Sequence, residues 1–239
     1  ATPLSFVFNS ANDTRIYTGP NSLFESDFEG RAGSIYLNGA TFNGTATFEK
    51  SGPHWRNTSD GGNVYNGTTH IINHSSNWGE MYQGSPTDLL QTNRDFTVTD
   101  FCEFSMGKID LGTNNMTIEN SNNGTSVIVL NVNDSHVLAT GTGEVKRTVN
   151  NNNTNVIFPV GTIGTYLPAT INLDASGTTD VYNTRLIDNI YESYSTAPTF
   201  TPSGATITAQ FTKRTCVISE DVIGGSQADL TLQWDPADE

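Results

Sequence analysis

The pattern in this sequence that comes nearest to a metal-binding motif is a pair of histidines four residues apart. His70 and His74 lie in the segment HIINH. Zinc proteases use two histidines at this spacing, with a glutamate directly after the first histidine. Here Ile71 occupies that position, and no third ligand is apparent. The sequence therefore predicts no metal site, and nothing in it indicates a cofactor.

Acidic residues are numerous, but their number makes any single pair uninformative. Glycoside hydrolysis needs two carboxyl groups about 5–10 Å apart, and 25 Asp and Glu residues will always supply some pair at that distance. The sequence contains no G-x-S-x-G nucleophile elbow, no phosphate-binding Walker loop and no cluster of Cys and His residues. We therefore predict no catalytic residues and no enzymatic activity.

Two further residue types could bind or carry sugars. Trp55, Trp78 and Tyr82 lie near polar segments, where aromatic rings could stack on sugars as in an adhesin, although core packing or the cushioning of attached glycans is the favoured interpretation. Nine N-x-[ST] sequences provide candidate glycosylation sites in segments that read mostly as turns. These sites are Asn12, Asn43, Asn57, Asn66, Asn73, Asn115, Asn123, Asn133 and Asn152.

The composition is typical of an all-β protein that is rich in turns. Charged residues make up only 15% of the chain, below the roughly 25% of an average globular protein. The 22 Gly favour turns, and 12 Phe, 8 Tyr and 3 Trp supply material for a core. With 11 basic and 25 acidic residues, the net charge is 11 − 25 = −14, which argues against nucleic acid as a partner. No apolar run is long enough to predict insertion into a membrane.

An internal repeat organises the middle of the chain. The segment FNGTATFEKSG (42–52) matches YNGTTHIINHS (65–75) at a spacing of 23 residues, and a looser third copy lies around NRDFTVTD (93–100). The matched pairs are Phe42 with Tyr65, Gly44 with Gly67, and Phe48 with Ile71. A period of this length predicts either the coils of a β-solenoid or a stack of hairpins. We expect the Asn-Gly dipeptides to supply the left-handed backbone of tight turns.

The N-terminal segment predicts a strand with one strongly apolar face. Leu4, Phe6 and Phe8 alternate with smaller side chains. A polar connector with a Gly-Pro turn comes next, so this strand could either pack within its own chain or swing out to a neighbour. We therefore divide the chain into an N-terminal arm and connector (1–20), a repeat-containing β region (21–119) and a β-sandwich (120–239). We expect one continuous core to join the last two.

Three runs in the second half resemble an all-β module of secreted, surface-displayed proteins from Bacteroidota-type bacteria, the clients of the type IX secretion route. These runs are GTGEVKR (141–147), FPVGTIGTYLPATI (158–171) and KRTCVISEDVIGGSQADLTLQW (213–234). In that family further strands normally follow the block that ends in LQW, whereas this chain ends at Glu239. The resemblance therefore implies an antiparallel sandwich that lacks its last strand or strands, with a groove that something must fill.

The two cysteines, Cys102 and Cys216, suggest one disulfide in an exported protein. The bridge would close a loop of roughly 113 residues and stabilise the fold by up to about 4–5 kcal/mol. The alternative is a pair of unpaired thiols that act as small apolar residues.

These features together predict a structural subunit of an extracellular filament or pilus-like surface appendage. The subunits would be copies of this chain that assemble head to tail, with Leu4, Phe6 and Phe8 as the assembly strand and with glycans attached. One alternative is a module of a cell-surface adhesin that binds glycans or protein. A weaker alternative is an enzyme that acts on polysaccharide. The first residue, Ala rather than Met, suits a secreted protein whose signal peptide has been removed.

Overall fold

The computed structural model describes twelve segments of the chain. They are residues 4–7, 15–50, 58–67, 69–73, 89–91, 95–100, 102–104, 108–119, 127–129, 135–196, 199–207 and 213–236. Within them the chain forms 25 β-strands and no α-helix, which confirms the all-β class. None of the described segments contains a helix with the length and apolar character needed to cross a bilayer.

The strands are numbered in chain order. They are β1 (Leu4–Val7), β2 (Arg15–Tyr17), β3 (Leu23–Phe24), β4 (Phe28–Ala32), β5 (Ser34–Asn38), β6 (Thr41–Phe42), β7 (Ala46–Lys50), β8 (Thr58–Gly61), β9 (Val64–Tyr65), β10 (Thr69–Asn73), β11 (Leu89–Gln91), β12 (Phe96–Asp100), β13 (Cys102–Phe104), β14 (Lys108–Asp110), β15 (Met116–Glu119), β16 (Val127–Val129), β17 (Val137–Leu138), β18 (Val145–Val149), β19 (Val156–Phe158), β20 (Ala169–Leu173), β21 (Asp180–Asp188), β22 (Tyr191–Tyr194), β23 (Pro202–Thr206), β24 (Arg214–Glu220) and β25 (Ala228–Leu232).

One nine-stranded sheet runs through the whole described structure. Its strand order is β1-β4-β7-β10-β12-β15-β18-β21-β24. Every pairing from β1 to β18 is parallel, and the two remaining pairings, β18 with β21 and β21 with β24, are antiparallel. The change from parallel to antiparallel pairing therefore falls at β18. This is further along the chain than residue 120, where the boundary between the repeat region and the sandwich was expected.

The parallel strands come from successive coils, where a coil is the stretch of chain from one strand of the nine-stranded sheet to the next. Shorter parallel sheets form between the coils in the same way, in the orders β2-β5-β8, β3-β6-β9, β11-β14-β17 and β13-β16. Hairpins would produce antiparallel neighbours, because the chain reverses between their strands. These parallel pairings are those of stacked coils and not of stacked hairpins.

The repeat at a spacing of 23 residues is confirmed in the strand register. Phe42 pairs with Tyr65, and Phe48 pairs with Ile71 in the neighbouring sheet. The looser third copy also takes its expected place, because β12 pairs with β10 in parallel register. Equivalent residues of the two copies therefore lie directly above one another.

Aromatic rings stack inside the first three coils. The rings of Phe24 and Phe42 are parallel with centroids 4.8 Å apart, and Phe42 stacks on Tyr65 with centroids 5.5 Å apart. Phe48 meets Phe42 edge to face at 5.1 Å. Phe42 and Phe48 are fully buried, and burial of such a side chain stabilises the fold by about 1.5–3 kcal/mol. In-register stacking thus builds the core by placing ring on ring.

The two repeat glycines allow the coils to approach each other closely. A Cβ atom on Gly67 would lie 1.9 Å from the carbonyl oxygen of Gly44, and one on Gly44 would lie 2.5 Å from the backbone nitrogen of Asp27. Neither glycine has a positive φ angle. The expectation that these Asn-Gly dipeptides need a left-handed backbone was therefore wrong. Lack of space, rather than backbone conformation, requires glycine here.

The N-terminal segment lies within its own chain as part of the first coil. β1 pairs with β4, with Leu4 opposite Phe28 and Phe6 opposite Gly30. Residues 15–17, which were expected to belong to a polar connector, form β2 and pair with β5. The reason is that Ile16 is buried between two exposed neighbours and packs in the core.

The C-terminal part contains two antiparallel layers that face each other. One is the end of the nine-stranded sheet, and the other is the sheet β19-β20-β25. Val145 and Val149 of the first layer share one hydrophobic cluster with Phe158 and Ile171 of the second. Because this cluster begins at Ile16 and extends to Tyr182, the expected continuous core joins the coils to the C-terminal layers.

The close contact at Gly67 predicts a stability effect. We expect Gly67→Ala to lower the free energy of unfolding by about 1–3 kcal/mol, because the added methyl group must push two coils apart. Chemical denaturation followed by circular dichroism measures this change. Gly164→Ala is the matched control, since a Cβ atom there meets nothing within 4 Å. Equal denaturation midpoints for the two variants would contradict the explanation.

Candidate assembly interface

The C-terminal layers end in two edge strands that come from consecutive parts of the chain. β24 is the last strand of the nine-stranded sheet, and β25 is the last strand of the facing sheet. Among the described residues each of them pairs on one side only, β24 with β21 and β25 with β20. An edge strand presents unpaired backbone N–H and C=O groups, which can pair with another strand.

β25 directs an uncovered apolar face toward the interior of the sandwich. Its sequence ADLTL alternates, and Leu230 lies opposite Ile171 while Leu232 lies opposite Ala169. Directly opposed residues of antiparallel strands point to the same face of a sheet. Ile171 and Ala169 are fully buried, yet Leu230 is 52% exposed and Leu232 is 43% exposed. The hydrophobic core therefore covers the inner face of β20 but not that of the neighbouring edge strand, β25.

Trp234 extends the same exposed apolar stripe. It follows Leu232 at the two-residue spacing of this strand and is 56% exposed. The backbone N–H of Gln233 still donates to the carbonyl of Pro168 at 3.3 Å. The hydroxyl of Thr165 donates to the Asp235 carboxylate at 3.1 Å. These two hydrogen bonds hold the chain around Trp234 in place, while the Trp234 ring stays exposed.

β24 contributes the facing side of the opening. Cys216 and Ile218 are only partly buried and pack against the core cluster. On the other face of the strand Val217 is buried, and the hydroxyls of Thr215 and Tyr194 lie 2.6 Å apart, so β22 covers this face. The partly buried apolar residues of β24 and the exposed apolar residues of β25 therefore belong to the inner faces of the two layers.

The turn between the two edge strands exposes Val222 and Ile223 at its tip. The carboxylate of Glu220 accepts hydrogen bonds from the hydroxyl of Ser226 and from the backbone N–H of Gly224. These two bonds lower the pKa of Glu220. A carboxyl group with a lowered pKa stabilises its surroundings at neutral pH, and that contribution disappears as the pH falls through the lowered value.

We call the inner apolar residues of β24 and β25, together with Trp234, the open groove. It comprises Cys216, Ile218, Leu230, Leu232 and Trp234. The charged residues Arg214 and Glu220 lie at the two ends of the same face of β24. Apolar side chains at strand spacing beside unpaired backbone groups suit one kind of ligand, an extended peptide strand that brings its own apolar side chains.

The predicted assembly strand lies at the opposite end of the nine-stranded sheet. β1 is its first strand, and among the residues that the structure describes it pairs with β4 alone. The side chain of Phe6 is 41% exposed, and its ring centroid lies 6.0 Å from that of Phe28. Phe8 lies outside the described residues. Within this single chain the structure does not bring the assembly strand and the open groove together.

Cys216 carries a free thiol in this structure, so the structure lacks the Cys102–Cys216 disulfide that the cysteine count suggested. The backbone of Cys102 belongs to β13, which pairs with β16. Burial raises the pKa of Cys216 to about 11. This thiol therefore fits the alternative interpretation, in which an unpaired cysteine acts as a small apolar side chain, here at the margin of the core.

The described candidate glycosylation sites differ in the hydrogen bonds of their amide groups. The side-chain amide of Asn66 donates to the side-chain oxygen of Asn43, and the amide of Asn43 donates to Glu25, both at 2.8 Å. The side-chain oxygen of Asn115 accepts from the backbone of Glu144. Asn152 lies exposed in a turn, where its oxygen accepts from the N–H of Thr154. Its nitrogen is therefore the best placed of the four to carry a glycan.

The remaining candidates yield no second site. His70 belongs to β10, where it lies between Thr47 and Thr97 of the neighbouring strands. The described residues include no cluster of three or more His, Cys, Asp or Glu side chains that could hold a metal ion. His74, Trp55, Trp78, Tyr82, Asn12, Asn57, Asn123 and Asn133 lie outside the described residues, as does the side chain of Asn73.

Sequence reasoning missed the residues of the open groove. The sequence analysis used ADLTLQW only as part of a run that resembles the secreted module, and the alternation in this segment does not reveal whether its apolar face will be covered. The implied incomplete sandwich was the one sequence signal that pointed to this region. No family model, curated protein or solved structure matches the chain. The resemblance to the type IX secretion module therefore stays a prediction.

The high pKa of Cys216 predicts slow alkylation. Only the thiolate reacts with iodoacetamide, so labelling at pH 8 should be much slower than that of free cysteine in the same tube and should accelerate toward pH 11. Mass spectrometry of the tryptic peptide 215–239 follows the reaction. Rapid labelling at pH 8 would contradict the buried thiol. Labelling only after addition of a reductant would instead show that the disulfide exists.

Proposed function

We propose that this protein is a structural subunit of an extracellular filament or surface appendage, built head to tail from copies of itself by strand complementation. The observation that supports this most strongly is the open groove. The edge strand β25 exposes Leu230 and Leu232 beside the partly buried apolar residues of the edge strand β24. A strand added there would continue the sheet and cover the core. The chemistry of the groove fits an uncharged, alternating apolar strand.

The N-terminal strand is the occupant that this chain itself supplies. The segment LSFV (4–7) has no charged residue, so it brings no further charge to the groove even though each subunit carries a net charge of −14. It pairs with one neighbour over four residues. A strand that pairs on one side only among the described residues gives up one row of backbone hydrogen bonds when it exchanges β4 for a new partner strand.

The donor strand and the acceptor groove lie at different places on the subunit, so the contact between them can repeat from one subunit to the next. The donor strand is the first strand of the nine-stranded sheet, and the acceptor groove includes its last strand, β24. A contact between two different surfaces leaves a free donor and a free acceptor on every dimer. Such heterologous contacts grow into filaments unless the rotation between subunits happens to close a ring.

The energetic gain is sufficient for specific association when the contacts act together. Leu230, Leu232 and Trp234 are each about half exposed, so covering them is worth on the order of 1 kcal/mol apiece. The apolar side chains of the incoming strand contribute a similar amount, and each backbone hydrogen bond at the edge adds about 0.5–1.5 kcal/mol. Covering the edge also removes a surface that would otherwise aggregate.

An extracellular location and attached glycans belong to the same proposal. An acidic, Asn-rich surface favours solubility at the outside of a cell. Asn152 offers an exposed turn where a glycan would disturb no strand pairing. The subunit's partners would then be other copies of the chain, with glycans covalently bound on the outer surface.

Substitutions in β25 test the proposal directly. We expect the wild-type chain to form regular filaments in negative-stain electron microscopy. The double variant Leu230→Asp/Leu232→Asp should sediment as a monomer, because two carboxylates would have to be buried. Thr231→Asp is the matched control, since residue 231 points to the other face of the same strand. Phe6→Asp should likewise leave monomers.

Two results would contradict the proposal. Filaments of normal length from the Leu230→Asp/Leu232→Asp variant would show that the open groove has no part in assembly. A wild-type chain that stays monomeric at every concentration and ionic strength would exclude self-assembly altogether. Circular dichroism of each variant separates a loss of assembly from a loss of folding.

A module of a cell-surface adhesin is the second candidate. The observation that favours it is the position of β1, which pairs with β4 of its own chain and so need not serve a neighbour. In that case the chain would remain monomeric and would bind its ligand through surface loops.

The proposed glycans predict an intact mass above that of the polypeptide. The polypeptide alone has a mass of 25.8 kDa. We expect mass spectrometry of material from the native source to show a heavier species, and peptide mapping to place a glycan at Asn152 before Asn43 or Asn66. An intact mass equal to that of the polypeptide would exclude glycosylation.

A further inference from the structure

The turn between β24 and β25 carries the most exposed large apolar side chains of the described structure. Ile223 is 93% exposed and Val222 is 67% exposed. Single apolar residues are common on protein surfaces, but these two are adjacent and lie together at the end of one turn. We call Val222 and Ile223 the apolar tip.

Hydrogen bonds hold the apolar tip in one conformation. The backbone N–H of Val222 donates to the Asp180 carboxylate at 3.0 Å, and that of Gly224 donates to the Glu220 carboxylate at 2.7 Å. Gly224 has a φ angle of 99°, which lets the backbone turn back directly after the tip. A surface that is already ordered loses little conformational entropy on binding. The apolar tip is therefore preorganised for a partner.

The surroundings of the apolar tip are acidic. The two loops at this end of the sandwich, 174–180 and 220–227, contain four carboxylates and no lysine or arginine. The carboxylates belong to Asp174, Asp180, Glu220 and Asp221. Their charge repels a second acidic tip and the surface of an anionic membrane. A fitting partner offers an apolar recess with neutral or basic surroundings.

A recess of this kind lies at the other end of β21 and β24. Its walls come from residues 138–142, 161–163 and 185–189 and from the hairpin of β22 and β23, and we call it the Arg185 pocket. Its volume is about 520 Å³, so it has room for two aliphatic side chains. Its wall includes the exposed side chain of Ile163.

The charged residues in the wall of the Arg185 pocket are already paired. The guanidinium of Arg185 lies 3.8 Å from the carboxylate of Glu144, and the carboxylate of Asp188 lies 2.7 Å from Arg214. An apolar side chain can enter such a pocket without leaving a buried charge unpaired, which is the costly outcome when charges lose water.

Beside this pocket lies a positive charge that the acidic loops lack. Lys213 is exposed, and its carbonyl accepts from the backbone N–H of the wall residue Asn189 at 2.6 Å. The Glu192 carboxylate, on the hairpin, accepts from the backbone N–H of Ala205 at 3.2 Å. Opposite charges around a contact favour one pairing of surfaces over others. Lys213 therefore favours an acidic partner surface.

The apolar tip and the Arg185 pocket cannot meet within one chain. In the register of β21 and β24, Glu220 lies opposite Tyr182 at the end near the tip, and Arg214 lies opposite Asp188 at the end near the pocket. Six residues of extended strand separate the two ends by about 20 Å. We propose that the apolar tip of one copy of this chain enters the Arg185 pocket of a second copy.

This contact lies across the direction of the proposed filament. The donor strand and the open groove follow one another across the strands of the sheet, whereas the tip and the pocket follow one another along the strands. The contact would therefore join neighbouring filaments side by side. It uses no residue of the open groove, so it does not depend on filament formation. Two side chains bind weakly alone, and many copies along a filament reinforce one another.

Photo-cross-linking of the full chain tests the contact from both sides. Benzoylphenylalanine replaces either Ile223 or Ile163 in the Leu230→Asp/Leu232→Asp variant, which removes the open groove from the measurement. Because the isolated contact has a Kd on the order of 1 mM, illumination is carried out near that concentration. We expect a covalent dimer from each photo-variant, and circular dichroism checks that each remains folded.

Mass spectrometry of the dimers locates the attachment. The label at Ile223 should attach to residues 138–142, 161–163 or 185–191, and the label at Ile163 should attach within the tryptic peptide 215–239. The same label at Leu23 is the matched control, because Leu23 is an exposed apolar residue of β3 and lies outside both surfaces. Lys213→Glu should lower the yield of dimer about threefold at low ionic strength.

Several outcomes would overturn the inference. These are no dimer from either label, attachment confined to other residues, or equal yields from Ile223 and Leu23. Pelleting of the wild-type chain, but not of Val222→Ser/Ile223→Ser, with phosphatidylcholine vesicles and without any dimer would assign the tip to a lipid surface. The cross-linking stays informative if the wild-type chain forms no filaments, so the failure of either proposal can be told from the failure of the other.

Discussion

The rest of this structure depends on the parallel, in-register stacking of successive coils. In such a stack each coil satisfies its backbone hydrogen bonds with the coils above and below it, and with no others. Side chains then fall directly over their equivalents, as Phe24, Phe42 and Tyr65 do. The same constraint requires glycine where two coils touch through their backbones, as at Gly44 and Gly67.

A stack of this kind must also be terminated. In the described structure the change to antiparallel pairing after β18 begins a different arrangement, in which β21 and β24 extend the sheet while β19, β20 and β25 fold back over it. The second layer covers Val145 and Val149 but not the last edge. The open groove is therefore a direct result of how the coils are brought to an end, and its apolar character follows from its position at the margin of the core.

Part of this architecture could be predicted from the sequence, and the limits have a physical reason. The copies at 42–52 and 65–75 were recognisable because both keep an aromatic residue, an Asn-Gly pair and a strand at the same positions. The other coils could not be recognised as repeats in the sequence because they differ in length. Leu4, Phe28, Ala46, Thr69, Phe96, Met116 and Val145 stack in one column, at spacings of 24, 18, 23, 27, 20 and 29 residues. Strand pairing tolerates such variation because only the paired strand residues must keep their register.

The candidate sites were less predictable than the fold, because exposure depends on contacts between distant segments. Residues 228–234 alternate between apolar and polar types, but this pattern does not show that Leu230 stays uncovered by the rest of the described structure. The pocket beside the buried Arg185 joins the region around Leu138 to Tyr191, and no local pattern connects these segments. The free thiol of Cys216 shows the same limit, since a count of cysteines says nothing about their positions.

The direction of the hydrogen bonds between coils has a mechanical consequence. In a parallel stack these bonds run along the stacking axis, so a pulling force along that axis opens one row of them at a time and does not shear many rows together. Each coil of 18 to 29 residues would release on the order of 60–100 Å of extended chain when it detaches. A chain of this design would unfold under tension one coil at a time, and mechanical work would be dissipated at each step.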